Sequence, residues 1–261
     1  MLITHDIVRA SIFLIVFLLM AGWEYIAPRR SPSLDRRQRW PANLELALLS
    51  ALLVRFITPV TVVGVAVTGQ FNGWGLMNVV DLPAWIVAIT TFVALDLVIF
   101  CQHVMFHRVA ILWRLHRVHH ADMEFDVTTG LRFHPGEAVI SLFVKMLAVL
   151  TLGVPPLVVL CFEVVLNATS MFHHGNVRLP LSTDALLRKF LVTPDMHRVH
   201  HSAEAFELNS NFGFNFSFWD RLFRTYRAQP TGGHIAMRLG IAEFRAATYL
   251  TLGRLLRQPW L

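Results

Sequence analysis

The chain has 261 residues, of which 55% are hydrophobic and only 15% are charged, and its mean hydropathy is +0.52. This composition excludes an ordinary soluble domain, in which about a quarter of the residues are charged. The net charge of +6 comes mainly from arginine, which in a membrane protein is typical of cytoplasmic loops rather than of nucleic-acid binding. We therefore expect a membrane protein with no nucleic-acid partner.

The first apolar run, residues 7–26, is long enough to cross a bilayer, which takes about 20 residues. It carries Trp23 and Tyr25, which are typical of a membrane interface, and no small-residue cleavage site follows. It is therefore predicted to be a retained anchor rather than a signal peptide. Residues 29–39 contain several arginines against Asp35 alone, so the positive-inside rule places this loop in the cytoplasm.

A second span is predicted at residues 44–67, with a kink at Pro59. It contains Arg55, whose charge is unfavourable at that depth. Three interpretations stay open for Arg55: it reaches the interface, it pairs with an acid such as Asp96 or Glu163, or it lines a polar cavity.

A third span at residues 83–101 is predicted to return the chain to the cytoplasmic side, directly before the first histidines. Residues 138–172 are apolar again but are interrupted by Gly153 and two prolines, and each arm is short for a full span. This segment is either two short spans or a re-entrant hairpin. Both alternatives return the chain to the side that it left, so all histidine motifs are expected on one face of the membrane.

Eight histidines occur in three clusters, one H-x3-H pair and two copies of the pattern H-R-V-H-H. On a helix, residues i and i+4 lie about 40° apart and residues i and i+3 about 60° apart, so each cluster shares one face. Imidazoles arranged in this way can bind a metal from the side of a helix, and eight are more than one ion needs. Two ions are therefore predicted, and the ligand type leaves iron, zinc and copper open. The eight are His103, His107, His116, His119, His120, His197, His200 and His201.

These clusters stand beside an Arg-Phe-His-Pro motif at 132–135, a Phe-His-His-Gly-Asn motif at 172–176 and a Trp-Asp-Arg-Leu-Phe-Arg-Thr-Tyr motif at 219–226. In order and spacing they resemble the fatty acid hydroxylase / sterol desaturase superfamily, integral-membrane enzymes with histidine-rich di-iron centres. The resemblance covers about residues 90–227.

The resemblance implies hydroxylation or desaturation of a lipid C–H bond with O2 as cosubstrate. It implies two iron ions, with zinc possible in the isolated protein, bound by the eight histidines and completed by His134 and His174. His173 departs from the family pattern and is interpreted as a neighbour of the site.

Three carboxylates are candidates for a supporting role. Asp96 lies seven residues before His103, within about 20° of the same helical face. A carboxylate there is predicted to accept the free N–H of a ligating imidazole. The alternative is an N–H or arginine partner unrelated to the site. Glu137 and Asp195 stand next to histidine motifs and are predicted to play the same part.

The fold implied by these observations is all-α: a multi-pass bundle of about four to five membrane-embedded helices, with a cytoplasmic-side helical cap that carries the di-metal site. We treat 1–261 as a single integral-membrane domain. It comprises N-terminal membrane helices at 1–82, the hydroxylase/desaturase region at 83–235 and a C-terminal helix at 236–261. The last segment alternates arginines with apolar residues, which favours an amphipathic helix on the membrane surface or, equally, a packing helix.

The sequence contains no dinucleotide fingerprint, haem-attachment motif or ferredoxin cysteine pattern. Electrons are therefore expected from a separate protein, either cytochrome b5-like or a ferredoxin with its reductase. A bacterial inner membrane is expected rather than the endoplasmic reticulum. Two other classes of protein are alternatives: a di-haem membrane cytochrome, which needs histidines paired across spans, and a metal transporter, which needs ligands along a path through the bilayer.

Overall fold

The fold is described from a computed structural model, which covers residues 2–58 and 60–261 and gives only the backbone of residues 2–6. Within these ranges the chain is helical, with isolated bridges and no β-strand. The predicted all-α class is therefore confirmed. The kink predicted at Pro59 lies outside the described residues.

Seven helices make up the first two-thirds of the chain. They are α1 (Leu2–Ile26), α2 (Arg36–Ile57), α3 (Val62–Phe71), α4 (Ala84–Arg108), α5 (Ala110–His120), α6 (Pro135–Leu152) and α7 (Pro156–His173). Five segments are long and apolar enough to cross a membrane, namely α1, α2 with α3, α4, α6 and α7. This confirms the expected number of membrane helices. Only 11% to 33% of each apolar window is buried inside the protein, as expected for helices whose outer faces contact lipid.

The apolar segment at 138–172 forms two separate helices, α6 and α7, whose ends follow from local sequence. His134 caps α6, because its Nδ1 accepts a hydrogen bond from the Gly136 amide, and Pro135 occupies the first turn. α6 ends at Gly153, which has a φ of 71°. Each helix has 18 residues, or about 27 Å, which favours two short spans over a re-entrant hairpin.

The turn between α6 and α7 packs against the loop between α3 and α4 at two glycines. A Cβ atom placed on Gly75 would lie 2.3 Å from the Gly153 amide nitrogen and 2.3 Å from the Leu150 carbonyl oxygen. No side chain fits between these backbones, so glycine at position 75 sets how closely the two connections approach.

The membrane helices enclose an apolar core in which Val63, Leu95, Val149 and Phe162 are almost completely buried. It is formed by α3, α4, α6 and α7. Because α4, α6 and α7 are continuous helices that pass this core, the histidines near their ends are held at one end of the bundle.

The residues after α7, together with α5 and the connection between α5 and α6, form a cap at that end. Besides α5, its helices are α8 (Leu181–Leu187), α9 (Pro194–His200), α10 (Ala205–Leu208), α11 (Phe218–Leu222), α12 (Gly233–Ala236) and α13 (Leu252–Arg257). Every histidine motif lies in this cap or at a helix end beside it, which agrees with the expectation of a single face.

Some arginines of the predicted cytoplasmic loop are structural. Arg39 is 1% exposed and donates to Asp122 (2.6 and 2.8 Å) and to Asp126 (2.7 Å) in the segment after α5. Arg29 donates to Asp195 at 3.0 Å. These pairs tie the start of α2 and the α1–α2 connection to the cap. The positive-inside rule uses only the number of arginines and does not predict these ion pairs.

The C-terminal segment differs from the single helix predicted at 236–261. After α12 the chain runs extended: the Ala203 amide donates to the Arg238 carbonyl at 2.8 Å and the Gly240 amide to the His201 carbonyl at 3.2 Å. Gly240 has a φ of 88°, outside the helical region. Leu239 and Leu255 are buried against the cap. Pairing with the chain after the last histidine motif overrides helical periodicity, and Leu239 and Leu255 pack this segment against the rest of the protein.

Candidate metal centre

Nine histidines form two adjoining groups, and within each group the candidate ligand atoms lie within 4.8 Å of one another. All but one are buried; His107 is half-buried. Group 1 consists of His103, His107, His116, His120 and His200. Group 2 consists of His119, His174, His197 and His201.

The two H-R-V-H-H motifs each divide between the groups. His116 and His120, four residues apart on α5, belong to group 1, whereas His119 belongs to group 2. In the second motif the division is reversed, since His197 and His201 belong to group 2 and His200 to group 1. The groups therefore touch, and the rings of His120 and His201 stack with their centroids 4.5 Å apart.

The inward-facing nitrogens are spaced as metal ligands would be. In group 1, Nε2 of His120 lies 3.1 Å from Nε2 of His107 and 3.2 Å from Nε2 of His116. In group 2, Nε2 of His174 lies 3.1 Å from Nε2 of both His119 and His197. Two nitrogens bound to one ion at about 2.1 Å and at right or tetrahedral angles are roughly 3.0–3.4 Å apart. The residues present therefore fit one ion in each group.

Unsatisfied nitrogens support the same interpretation. Nε2 of His103, His200 and His201 is buried without a hydrogen-bond partner among the described residues. A buried polar atom without a partner costs about 1–3 kcal/mol unless something binds it.

The outward-facing nitrogens of three of these histidines are held by backbone carbonyls. Nδ1 of His103 lies 2.9 Å from the Phe212 oxygen, and Nδ1 of His200 lies 2.7 Å from the Ser210 oxygen. Nδ1 of His174 lies 2.8 Å from the carbonyl oxygen one turn earlier on α7. A carbonyl only accepts, so Nδ1 of each ring must donate, which leaves the Nε2 lone pair directed inward.

The cap keeps these imidazoles neutral. Burial, reinforced by neighbouring imidazoles, lowers the pKa of His119, His120, His197 and His201 well below its ordinary range. Burial also lowers the pKa of His174, to about 3. Neutral imidazole is the form that binds metals, so the site does not have to lose protons before it binds an ion.

One predicted carboxylate contacts a histidine of the site. Oε1 of Glu137, in the first turn of α6, lies 2.7 Å from Nδ1 of His116. This is the contact expected of a carboxylate that orients a ligand and raises its basicity.

The other two predicted carboxylates bind elsewhere. Asp96 accepts the amides of Asn215 and Phe216, each at 3.2 Å, and the indole N–H of Trp219 at 2.9 Å. Asp195 instead pairs with arginines at positions 29 and 198. For Asp96 the prediction of a histidine partner is wrong and the alternative of an N–H partner is the one observed, since the donors come from residues 215–219.

The structure does not bring His134 together with the other nine histidines. Its Nδ1 caps α6, and its Nε2 lies 3.3 Å from the Leu256 carbonyl oxygen. His173 also lies in neither group; its Nδ1 is 3.1 Å from the Phe214 oxygen, and its ring packs on His197 with centroids 4.3 Å apart. The interpretation of His173 as a neighbour agrees with this position.

A cavity of about 280 Å³ lies between the histidines and the membrane helices. Histidines of both groups line one end, and apolar residues such as Ile99, Phe106 and Leu166 line the walls. The polar residues of this cavity are not predictable from sequence, because single polar residues within apolar helices form no motif. They include Ser50, Gln102, Ser141, Lys145, Asn167 and Ser170.

A family model described as fatty acid hydroxylase matches residues 88–225, just over half of the chain. The chain belongs to the fatty acid hydroxylase family. This confirms the resemblance seen in the motifs, and all nine histidines of the two groups lie within the matched range.

Several curated proteins are similar to this family member. It is 28% identical to alkylglycerol monooxygenase of Xenopus tropicalis over 70% of this chain and 41% of the relative. It is 30% identical to ornithine lipid hydroxylase OlsE of Rhizobium tropici over 51% of this chain and 39% of the relative. It is 31% identical to cholesterol 25-hydroxylase of Rattus norvegicus over 52% of this chain and 45% of the relative. The chain thus spans less than half the length of these relatives. No solved structure matches it.

Proposed function

We propose that this chain is a membrane-bound, iron-dependent enzyme that hydroxylates a lipid C–H bond, with O2 as cosubstrate and electrons from a separate donor protein. The observation that carries the proposal is the pair of buried imidazole groups opening on a largely apolar cavity among membrane helices. The names of the relatives, which are lipid hydroxylases and monooxygenases, favour hydroxylation over desaturation.

In this proposal the five histidines of group 1 and the four of group 2 would each hold one iron. When bound, the irons would supply the activation of O2 and the removal of hydrogen from a substrate carbon. Carbonyl groups at Ser170, Ser210 and Phe212 would fix the ring orientations, and Glu137 would fix that of His116.

The cavity would position the substrate. Its apolar walls suit a hydrocarbon segment, and they exclude water from the end at which histidines of both groups are exposed to it. Gln102 and Ser141, which hydrogen-bond to each other at 2.8 Å, provide a fixed polar point on the wall. The enclosing helices face lipid, so the substrate would enter from the membrane rather than from water.

The test begins with metal content and optical spectrum of the detergent-purified protein. The expected result is iron, at about two ions per chain, without the Soret band of haem. Zinc would leave the site intact but replace iron in the proposal. Haem, or no bound metal after loading, would contradict it.

The second part of the test concerns the product. Cells that express the chain are grown under isotopically labelled O2, and their lipids are compared with those of cells that express His200→Ala. We expect one lipid to gain an oxygen atom from the labelled O2, and to do so only in cells that express the unaltered chain. An identical set of lipids in both cultures would contradict the proposed reaction.

A further inference from the structure

Several polar side chains that line the cavity beside the histidines already have partners within the protein. Ser50 and Ser170 donate to backbone carbonyl oxygens, at 3.2 and 3.1 Å respectively. Lys145 donates to the Glu163 carboxylate at 2.9 Å. These contacts account for the two hydroxyl hydrogens and place the ammonium group beside an acid.

Two other residues of the same cavity each retain an oxygen without a partner. Oε1 of Gln102 and Oε2 of Glu137 are buried, and neither accepts a hydrogen bond from any described residue. Gln102 is 8% exposed and Glu137 is 4% exposed, so bulk water hardly reaches these side chains. A buried oxygen without a partner is unfavourable unless a bound molecule donates to it.

The other polar atom of each of these two side chains is held in place. Nε2 of Gln102 donates to Oγ of Ser141 at 2.8 Å, which leaves Oε1 as the free end of the carboxamide. Oε1 of Glu137 lies 2.7 Å from Nδ1 of His116, which leaves Oε2 free. Ser141 follows Glu137 by four residues, one turn further along the same face of α6. The two free oxygens therefore belong to neighbouring positions on the wall that α4 and α6 form.

The chemistry of these oxygens restricts what can bind there. A carboxamide oxygen and a carboxylate oxygen have lone pairs and no hydrogen, so both can only accept. A ligand that satisfies them must bring a donor, which an ether, an ester, a ketone or a plain hydrocarbon chain lacks. A hydroxyl group or an amide N–H provides one.

We propose that the substrate carries a hydrogen-bond donor, a hydroxyl or an amide N–H, that is bound by Gln102 and Glu137 on the wall between α4 and α6. This inference rests on the function proposed above and names its substrate class. Gln102 is then a residue that determines substrate specificity, and Ser141 is a positioning residue that holds its carboxamide.

The place of these residues also bears on which carbon reacts. Gln102 directly precedes His103 on α4, and Glu137 contacts His116; both histidines belong to group 1. The donor of the substrate would therefore lie at the end of the cavity beside group 1. The reacting carbon is expected close to the carbon that bears the donor, rather than at the far end of the hydrocarbon chain.

The test compares lipids that differ only in the donor. Binding of oleyl alcohol and its methyl ether, and of N-methyloleamide and N,N-dimethyloleamide, is measured by native mass spectrometry on the full, metal-loaded chain in detergent. Loss of the donor is expected to weaken binding about fivefold. Preference for the alcohol would identify a hydroxyl, and preference for the N-methyl amide would identify an amide. Equal binding within both pairs would show that the two oxygens bind only water and would overturn the proposal.

Gln102→Leu removes the free oxygen and keeps a side chain of similar size. It is expected to weaken binding of the donor lipid about fivefold and to leave the affinity for its methylated partner unchanged. Gln70→Leu, at an exposed position on α3 outside the cavity, is the control and is expected to keep the preference. An equal loss of both lipids in Gln102→Leu would indicate a structural role. A preference that persists unchanged would show exclusion of the added methyl group by size. Either result would overturn the proposal.

A conservative variant separates the oxygen of the carboxamide from its nitrogen. Gln102→Glu keeps an acceptor at the same place, and the Ser141 hydroxyl can donate to the other carboxylate oxygen, so the preference for the donor lipid is expected to remain. Loss of the preference would mean that the carboxamide nitrogen binds the ligand, which contradicts the proposal. Because binding is measured without turnover, donor-selective binding without hydroxylation would contradict only the proposed function. Hydroxylation without donor-selective binding would contradict only this inference.

Discussion

In four of the nine histidines one ring nitrogen contacts a backbone carbonyl or a carboxylate, which leaves the other nitrogen to face the centre of the group. Where the outer nitrogen donates to a backbone carbonyl, as in His103 and His200, the protein fixes the orientation of the ring before an ion arrives. His134 differs from them. Its Nδ1 accepts a hydrogen bond from the Gly136 amide and caps α6, and its Nε2 contacts the Leu256 carbonyl, so both ring nitrogens already have partners.

This contrast gives a matched pair of variants. His197→Ala removes a group 2 nitrogen and is expected to lower metal content by at least one ion per chain, as measured by elemental analysis. His134→Ala is expected to keep the metal content and to lower the stability of the fold by ~1 kcal/mol through the lost cap. Loss of metal in His134→Ala would place that residue in the site after all.

Glu137 is expected to act on the metal through His116. Glu137→Gln removes the charge that raises the basicity of this imidazole, so the affinity of group 1 for metal should fall by about 10–100-fold. Competition with a chelator measures this affinity. The exposed Glu204, changed to Gln, serves as control and should leave it unchanged. Equal affinities in the two variants would show that the contact does not tune the site.

At the scale of elements, the positions of α6 and α7 depend on the close approach of the α6–α7 turn to the α3–α4 loop. Gly75→Ala places a Cβ atom 2.3 Å from backbone atoms that cannot move independently, at a residue whose φ is 94°. The free energy of unfolding is expected to fall by at least about 3 kcal/mol. Gly22→Ala, where nothing lies within 4 Å of the added Cβ, is the control. Similar melting temperatures in detergent would contradict this role of Gly75.

Sequence patterns predicted the long elements well and their connections poorly. Apolar runs of about 20 residues identify membrane helices almost unaided, because the bilayer fixes their length. The single helix predicted after residue 236 is wrong, because the pairing of Gly240 with His201 is a tertiary contact that helical periodicity does not record. The partners of Asp96 are not predictable from helical spacing for the same reason, since they lie about 120 residues away in the chain.

Within the candidate site, spacing was informative for eight of the histidines, which all lie in the two groups. The resemblance added His174, which the structure also brings there, and His134, which it does not. The division of each H-R-V-H-H motif between two groups could not be read from one helix. It appears only when α5 and α9 face each other.

At the scale of the whole molecule, five spans place the cap and the α3–α4 loop on opposite sides of the membrane. The arginine distribution predicts that the cap faces the cytoplasm. In a background with Cys101→Ala and Cys161→Ala, Asp81→Cys is expected to react with an impermeant thiol reagent on intact cells. Glu204→Cys should react only after lysis. The reverse pattern would mean that the metal groups face the opposite compartment.

The shared boundary between the two histidine groups is expected to couple their occupancy by metal ions. His119 and His120 are consecutive, as are His200 and His201, so an ion that fixes one residue of each pair also restrains its neighbour in the other group. The outer nitrogens of His119, His120 and His201 have no hydrogen-bond partner among the described residues, so these rings are not fixed beforehand. A second ion would then meet rings whose conformational entropy has already been lost. Titration of metal-free protein should therefore show positive cooperativity, with little singly loaded protein at half saturation. Two independent binding steps would show that the cap is rigid before any metal enters.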